Sequence, residues 1–342
     1  MIKTVGIVGL GALGVLYGSL LLEKMDRDDL LIIADEERIR RYQAEGVYAN
    51  GKRCDFRYAA PGEGHNPAGA ACGADEENDA RLGGADEEND ARLGGAEEEI
   101  TAHLGGAPVD LLIFTTKYMA LAEAAKMARP FCGERTIVMS FLNGVSSEQV
   151  LEEILKPKRL LYSCVQGMDA TRKDRQVTYS KSGYIAFGEK DSSRSQTVCE
   201  VEEFLNRVGL AYQVPEDIRR QIYSKWMLNV GVNQTCAVFD VDYEGVQKPG
   251  KLRDIMVTAM EEARSVAAAE GILLTEEELW YWVDVIDGLS PNGQPSMRQD
   301  TLAGRPTEVE LFAGTICAMG RKHGISVPQN EEFYRLLNAA EK

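Results

Sequence analysis

The sequence has little of what a metal site or a disulfide framework requires. Only three histidines occur, His65, His103 and His323, and none lies at ligand spacing from another candidate metal-binding residue. We therefore expect no metal cofactor. The seven cysteines are scattered and form no C-x-x-C pair, which indicates reduced thiols rather than a disulfide scaffold.

Positive charge and long apolar runs are also scarce. The 38 Lys and Arg residues are outnumbered by 54 Asp and Glu residues, which gives a formal net charge of −16. This excess of acid argues against nucleic acid or an anionic membrane surface as a partner. No apolar run reaches the roughly 18 residues that a transmembrane helix needs. The first residues are typical of a strand rather than a signal peptide, so we expect a cytoplasmic protein.

The most specific pattern that is present lies in the first fourteen residues, MIKTVGIVGLGALG. The apolar run Val5–Val8 leads directly into a G-x-G-x-x-G turn and then into an apolar helical segment. In this context the first glycine permits the tight turn, the second lets the backbone approach a pyrophosphate, and the third lets the helix pack on the strand. The helix N-terminus offers free N–H groups to phosphates. The pattern predicts that a dinucleotide is bound by Gly9, Leu10, Gly11, Ala12, Leu13 and Gly14, with an ordinary tight turn as the alternative.

Strands and helices alternate through about Pro215 and then give way to helices alone. The first part contains apolar strand patterns at Val5–Val8, Leu30–Ile33, 109–115, 136–140, 160–166, 177–179 and 184–187. Helical patterns occupy 13–24, Glu36–Glu45, 119–128, Ser147–Leu155 and Gln196–Val208, and a hairpin is expected from 47–48 and 54–58 around Asn50-Gly51. This alternation predicts an α/β fold with a doubly wound, mostly parallel Rossmann-like sheet over residues 1–215. The helical patterns Ile218–Phe239, 252–270, 276–286 and 307–323 predict an all-helical domain over 216–342.

Residues 59–108 interrupt this alternation. The segment ADEENDARLGG occupies 74–84 and recurs unchanged at 85–95, and a diverged copy, AEEEITAHLGG, occupies 96–106. Each copy holds a single leucine and ends in Gly-Gly, so it offers little apolar surface for a core and no long helix. We interpret the segment as a solvated acidic insertion, with a partner-binding role as the alternative.

If this interpretation is right, the repeats can be removed without loss of activity. We expect a variant in which residues 74–106 are replaced by a short Gly/Ser linker to fold and turn over normally, because loop-closure entropy changes slowly with loop length. Thermal unfolding and cofactor titration test this. A large drop in Tm, or cofactor affinity weakened by more than about tenfold, would show that the segment packs on the fold.

Polar side chains follow two of the predicted strands at their carboxyl ends, where ligands bind in open α/β sheets. Lys117 follows the strand at 109–115 and is placed to reach a phosphate or ribose of the cofactor. Asn143, after the strand at 136–140, can orient a carboxamide and a substrate oxygen, because its side chain both donates and accepts. A solvated lysine and an Asn-Gly turn are the alternatives.

A polar stripe runs along an otherwise apolar helix in the second part of the chain. Lys225, Asn229 and Asn233 recur at i, i+4 and i+8 in YSKWMLNVGVNQT, so they share one helix face. Buried polar groups need partners, which favours a stripe that faces a cleft. A desolvated lysine has a lowered pKa and is suited to proton delivery. The alternative is that Lys225 reaches outward to solvent and the asparagines bond to neighbouring backbone.

Two further candidates lie near the C-terminus. Ser296 follows a loop rich in Pro, Asn and Gly, and Glu308 is expected to begin a helix after Pro306. A carboxylate at that position could also serve only the helix dipole.

Together these motifs resemble the ketopantoate reductase family, the 2-dehydropantoate 2-reductases. The resemblance is carried by GLGALG at 9–14, FTTK at 114–117, LNG at 142–144, KWMLNVGVN at 225–233, SMRQD at 296–300 and RPTE at 305–308. It implies that Lys225 is the general acid, and that Asn229, Asn233 and Ser296 bind substrate. It also implies that Lys117 and Asn143 contact the cofactor, with Asn143 near the nicotinamide. Glu308 is implied to hold the reacting hydroxyl and the cofactor region.

Two positions depart from the family pattern. Gln234 stands where a proline often follows the second asparagine, and Asp35 ends the second strand where the family often has an arginine for the 2′-phosphate of NADP. An acid there favours a ribose hydroxyl over a phosphate, although Arg38 or Arg41 could reach a phosphate. The cofactor is therefore NADP(H) by resemblance, with NAD(H) open because of Asp35.

The function expected from these residues is NAD(P)H-dependent reduction of a small 2-oxo acid, with ketopantoate, which gives pantoate for pantothenate synthesis, as the leading substrate. An NAD-dependent 2-hydroxyacid dehydrogenase for branched or aromatic substrates is the first alternative. A non-catalytic dinucleotide sensor is the second. A homodimer is left open.

Overall fold

A computed structural model of the chain describes residues 1–61 and 106–340. The acidic repeats, and with them most of the expected insertion, lie outside the described residues. The strands are β1 (Val5–Val8), β2 (Leu30–Ile33), β3 (Tyr48–Ala49), β4 (Lys52–Arg53), β5 (Arg57–Ala59), β6 (Leu111–Phe114), β7 (Ile137–Ser140), β8 (Arg159–Met168), β9 (Thr171–Lys173), β10 (Gln176–Thr178), β11 (Ser182–Gly188) and β12 (Tyr212–Gln213).

The main sheet has eight strands in the order β12-β11-β8-β7-β6-β1-β2-β5. The six neighbouring strands β8, β7, β6, β1, β2 and β5 are parallel to one another. Strand β11 is antiparallel to β8, and β12 is parallel to β11. Strands β1, β6 and β7 are buried along their whole length, as expected for apolar strands covered on both faces. The predicted α/β fold with a mostly parallel Rossmann-like sheet is confirmed.

Helices cover both faces of this sheet. They are α1 (Ala12–Leu22), α2 (Glu36–Glu45), α3 (Leu121–Ala128), α4 (Ser147–Leu155) and α5 (Gln196–Val208). Helices α1 and α5 share one apolar core with the sheet, and α3 and α4 share the core on the opposite face. Because β1, β6 and β7 are parallel neighbours, their carboxyl ends lie at the same edge of the sheet.

The predicted hairpin is wrong in its second strand, and the strands that do form it belong to a second, small sheet. Asn50-Gly51, both with positive φ, joins β3 to β4, as the turn signal predicts. The partner strand, however, is not 54–58. Strand β5 turns away and extends the main sheet beside β2, where Ala59 is buried. The order of the small sheet is β4-β3-β10-β9.

The C-terminal part is helical, as predicted. Its helices are α6 (Ile218–Phe239), α7 (Glu244–Gln247), α8 (Lys251–Ala269), α9 (Glu276–Asp287), α10 (Ser296–Leu302), α11 (Ala313–His323) and α12 (Pro328–Ala340). Helix α6 runs through the middle of this core, against α8 and α10. Within the two described ranges, none of the helices combines the length and apolar character needed to cross a membrane.

The expected helix over 307–323 is wrong at its start. A 3₁₀ turn, Val309–Leu311, is followed by a break at Phe312, and α11 begins only at Ala313. The sequence analysis does not predict α7, α10 or α12. Helices α7 and α10 span only four and seven residues, and α12 begins at a proline, Pro328, a residue that often marks the end of a helical pattern but is favoured at the first helical position.

Candidate active site

The glycine-rich loop between β1 and α1 has the shape of a phosphate cradle. Gly9 has φ +100°, and a Cβ at Gly14 would lie 2.1 Å from the carbonyl oxygen of Gly9. A Cβ at Gly11, in contrast, would come no closer than 3.4 Å to a neighbour, so that side of the loop is open. Helix α1 has no side-chain cap and no acidic residue in its first turn. The free N–H groups therefore fit the pyrophosphate of a dinucleotide.

Alanine substitutions should separate packing from cofactor approach in this loop. We expect Gly14→Ala to destabilise the fold by about 1–3 kcal/mol, because its Cβ collides with backbone. Gly11→Ala should fold normally but weaken dinucleotide binding by about tenfold or more, since its methyl group occupies the space of the phosphate. Tm and dinucleotide Kd of both variants test this, and Gly11→Ala with unchanged Kd would contradict the cradle.

Asp35 lies at the carboxyl end of β2, next to β1, where the sequence places the adenosine ribose. Its Oδ1 accepts a hydrogen bond from the backbone N–H of Arg38 at 2.8 Å and so caps α2. Its Oδ2 lies 3.4 Å from the Nε atom of Arg38. The carboxylate is half-exposed, which leaves it accessible to a ligand while it also serves the helix.

Lys225, on α6, connects the helical part of the chain to the sheet. Its Nζ donates to Oδ1 of Asn143 at 2.9 Å and to the backbone carbonyl of Val165, on β8, at 2.7 Å. Burial lowers the pKa of Lys225, and nearby Cys164 and Glu308 only partly oppose this shift. An ammonium group has three N–H donors, so one remains for a substrate oxygen. The structure brings Lys225 and Asn143 together, although 82 residues separate them in the sequence.

Glu308 joins this pair from the C-terminal part. Nδ2 of Asn143 donates to Oε2 of Glu308 at 3.4 Å. Burial raises the pKa of Glu308, opposed by the hydrogen bond from Asn143 and by the charge of Lys117. The expectation that Glu308 begins an α-helix is wrong, because Glu308 precedes the 3₁₀ turn Val309–Leu311. The alternative role at an α-helix dipole therefore has no support, and the carboxyl group lies beside the candidate acid instead.

Lys117, expected at the cofactor, reaches the C-terminal part. Its Nζ donates to Oδ2 of Asp300 at 3.0 Å and to the carbonyl of Pro306 at 3.0 Å. Asp300 also accepts from Nε of Arg305 at 2.8 Å. Lys117 thus lies at the carboxyl end of β6, beside Glu308, and is half-exposed. Next to it, the buried Oγ1 of Thr116 has no partner among the described residues.

The three expected substrate ligands have unused hydrogen-bonding groups. Asn229 and the buried Asn233 lie on α6, at successive turns from Lys225, and Ser296 is the exposed first residue of α10. None of these side chains bonds to another part of the chain that the structure describes. Helix α10 packs against α6. Their roles remain predictions, consistent with this arrangement.

Gln234, which stands where the family often has a proline, connects three helices of the C-terminal part. Its Nε2 donates to the carbonyl of Val230 at 2.9 Å and to Oδ1 of Asn330 at 3.0 Å. Its Oε1 accepts from the backbone N–H of Ala313 at 2.9 Å. The buried amide thereby connects α11 and α12 to α6.

Comparison with known proteins identifies the chain. The model of the ketopantoate reductase PanE/ApbA family matches residues 5–192, and the model of the family's C-terminal part matches residues 217–341. The chain belongs to the ketopantoate reductase family. Among curated members, the 2-dehydropantoate 2-reductase of Lactococcus lactis is 25% identical over 236 residues, which are 68% of this chain and 76% of the relative. That of Archaeoglobus fulgidus is 28% identical over 234 residues, with the same coverage.

Solved structures show the same fold. D-mandelate dehydrogenase with NADH and anilino(oxo)acetate superposes with a TM-score of 0.78 at 22% identity, covering 99% of this chain and 98% of that one. The ketopantoate reductase of Ralstonia eutropha gives 0.75 at 19% identity with the same coverage. A dimeric ketopantoate reductase of Staphylococcus aureus gives 0.71 at 17% identity, again with the same coverage.

Membership of this family defines the class of enzyme. The protein is a nicotinamide-dinucleotide-dependent oxidoreductase that acts on a CH–OH group. Within 1–61 and 106–340 no cluster of three or more His, Cys, Asp or Glu residues is arranged to hold a metal ion.

Proposed function

We propose that this enzyme reduces a small 2-oxo acid to the 2-hydroxy acid, with ketopantoate as the leading substrate and pantoate as the product. The observation that carries the proposal is the fixed ammonium group of Lys225. It is held by Asn143 and the carbonyl of Val165, at the sheet edge that also presents the glycine-rich loop. Curated relatives named for this reaction support ketopantoate.

When bound, the reduced nicotinamide supplies the hydride that adds to C2 of the substrate. Lys225 holds the proton that balances it and gives it to the ketone oxygen as that oxygen gains charge, so the product is a neutral hydroxyl and Lys225 is left as an amine. The lowered pKa of Lys225 favours this transfer. Asn143 orients the ammonium group through its carbonyl oxygen.

The remaining residues bind and orient. The N-terminus of α1 and the loop Gly9–Gly14 would hold the pyrophosphate, Asp35 the adenosine ribose, and Lys117 the cofactor ribose or phosphate. Asn143 would contact the nicotinamide. Asn229, Asn233 and Ser296 would hydrogen-bond the substrate, and Glu308 would hold the reacting hydroxyl.

A second candidate function is supported by two specific observations. Asp35 follows β2 and has an accessible carboxylate, which favours NADH, and the fold resembles that of D-mandelate dehydrogenase with NADH. An NAD-dependent 2-hydroxyacid dehydrogenase for branched or aromatic 2-oxo acids fits the same lysine and asparagines.

A substrate and cofactor panel tests both functions. The purified protein is assayed for oxidation of NADH and of NADPH with ketopantoate, 2-oxoisovalerate and phenylglyoxylate. The highest kcat/KM with ketopantoate supports the leading proposal, and the highest with phenylglyoxylate or 2-oxoisovalerate supports the alternative. Dinucleotide binding without turnover of any of these three 2-oxo acids would contradict both functions. Light scattering on the same sample tests the homodimer, since the Staphylococcus aureus relative is dimeric.

A further inference from the structure

An arginine from the small sheet contacts the glycine-rich loop. Arg172, on β9, donates from Nη1 to the backbone carbonyl of Leu10, which lies between the first two glycines of the loop. Its Nε donates to the carbonyl of Asp174 at 2.9 Å. These two bonds fix the guanidinium at the loop and leave Nη2 without a partner among the described residues. Strand β9 is held there because β10 pairs with β3, beside α1.

Other arginines lie around this guanidinium. Burial lowers the pKa of Arg172, and the positive charges of Arg41 and Arg305 lower it further, while Tyr42 and Asp174 act in the opposite direction. Arg41 lies on α2, directly after the adenosine end of the sheet, and lines the same cleft as Leu10 and Arg172.

The pairing of these arginines differs. Arg305 is paired with Asp300, and Arg175, which lines the same cleft, is paired with Glu45 at 2.8 Å. Within 1–61 and 106–340, neither Arg41 nor Arg172 forms an ion pair with a carboxylate. Repulsion between neighbouring guanidinium groups is unfavourable unless an anion joins them. The site therefore has positive charge beyond what this part of the chain neutralises.

We propose that Arg172, together with Arg41, binds a phosphate group of the dinucleotide cofactor, and that the β9–β10 hairpin is thereby part of the cofactor site. The inference rests on the proposed function, since it requires a bound dinucleotide. A guanidinium presents paired N–H donors that match phosphate oxygens. The loop that Arg172 contacts is the loop whose N–H groups would bind the pyrophosphate.

Two phosphates of a dinucleotide share this chemistry, the pyrophosphate and the 2′-phosphate of NADP(H). Position alone does not separate them, because Arg172 lies at the loop and Arg41 lies on the helix that follows Asp35. The two cofactors provide the separation, since only NADPH carries the 2′-phosphate.

The test measures dissociation constants of NADPH and NADH by calorimetry, without substrate, for the wild type and for Arg172→Ala, Arg41→Ala and Arg172→Lys. Arg175→Ala is the matched control, because Arg175 lines the same cleft but is already paired with Glu45. We expect Arg172→Ala to weaken binding by about tenfold to a hundredfold. Arg41→Ala should have a smaller effect, Arg172→Lys should retain part of the affinity, and the control should match the wild type.

The two cofactors then assign the phosphate. An equal loss for NADH and NADPH assigns Arg172 to the pyrophosphate, and a loss confined to NADPH assigns it to the 2′-phosphate. Unchanged constants for both cofactors in Arg172→Ala, or the same loss in Arg175→Ala, would overturn the inference and leave the proposed function intact. A wild type that bound neither dinucleotide would overturn the proposed function itself.

The salt dependence of binding distinguishes a phosphate contact from loop support. Removing an ionic contact should make Kd less sensitive to salt in Arg172→Ala than in the wild type. An equal salt dependence in the two proteins would show that Arg172 only shapes the loop through Leu10, against the proposal.

Discussion

Lys225→Ala is expected to lower kcat for reduction of the 2-oxo acid by about 10²–10⁴-fold, the usual contribution of general acid catalysis. The reason is that the Nζ of Lys225 is the ammonium group held at this edge of the sheet by Asn143 and the carbonyl of Val165. Dinucleotide binding should change by only a few-fold, because the glycine-rich loop is unaffected. Steady-state kinetics and calorimetry on the same preparation measure both effects.

The pH dependence of kcat distinguishes a proton donor from a residue that has only a structural role. Reduction requires the protonated lysine, so kcat should fall as the pH rises through the pKa of Lys225. Because burial lowers that pKa, the fall should occur below the pH at which an ordinary lysine titrates. Asn143→Ala removes one acceptor from the ammonium group and should shift this limb further toward acid pH. A Lys225→Ala enzyme with near-wild-type kcat would refute the assignment.

The sequence predicts the sheet and the approximate places of the active-site residues for one physical reason. Buried parallel strands are continuous apolar runs, so the ends of β6 and β7 are visible, and Lys117 and Asn143 follow them. The stripe of Lys225 and Asn229 is visible because a helix repeats every 3.6 residues. Local periodicity therefore locates the sheet residues and the helix residues of the candidate site separately.

The contacts between those halves are not visible in the same way. That Lys117 donates to Asp300, 183 residues later, depends on how α10 packs against α6. Glu308 precedes a 3₁₀ turn, and α11 begins only after the non-helical Phe312. No periodic pattern in the sequence indicates this interruption. Arg172 lies on a strand of three residues, too short to show alternation, and its relation to Leu10 arises only through the pairing of β10 with β3.

Glu148 illustrates a buried group that the sequence gives no reason to select. It lies in the first turn of α4 and is almost fully buried, where it accepts hydrogen bonds from Oγ of Ser147 at 2.9 Å and from the N–H of Ser163 at 3.4 Å. Burial raises the pKa of Glu148 to about 7. In the sequence Glu148 looks like any glutamate near the N-terminus of a helix. Only the tertiary packing of α4 on β8 removes it from solvent.

Asp35→Arg is expected to raise the ratio of kcat/KM with NADPH to that with NADH by about tenfold or more. The carboxylate at the end of β2 favours a ribose hydroxyl and repels a 2′-phosphate, whereas a guanidinium can bind the phosphate through two N–H groups. The wild type should accordingly prefer NADH slightly, although the family resemblance implies NADP(H). Kinetics with both cofactors at a fixed 2-oxo acid concentration measure the ratio.

The capping role of Asp35 decides how this experiment must be controlled. Its Oδ1 caps α2 through the N–H of Arg38, and loss of an N-cap costs about 0.5–2 kcal/mol of stability. The ratio of cofactors cancels that loss, while absolute rates do not. Asp35→Asn keeps a side chain that caps well and removes only the charge, so it should move the ratio toward NADPH by less than Asp35→Arg without lowering Tm. If neither variant moves the ratio, the adenosine ribose does not lie at Asp35, and Arg41 with Arg172 would then be the residues at which to seek the cofactor preference.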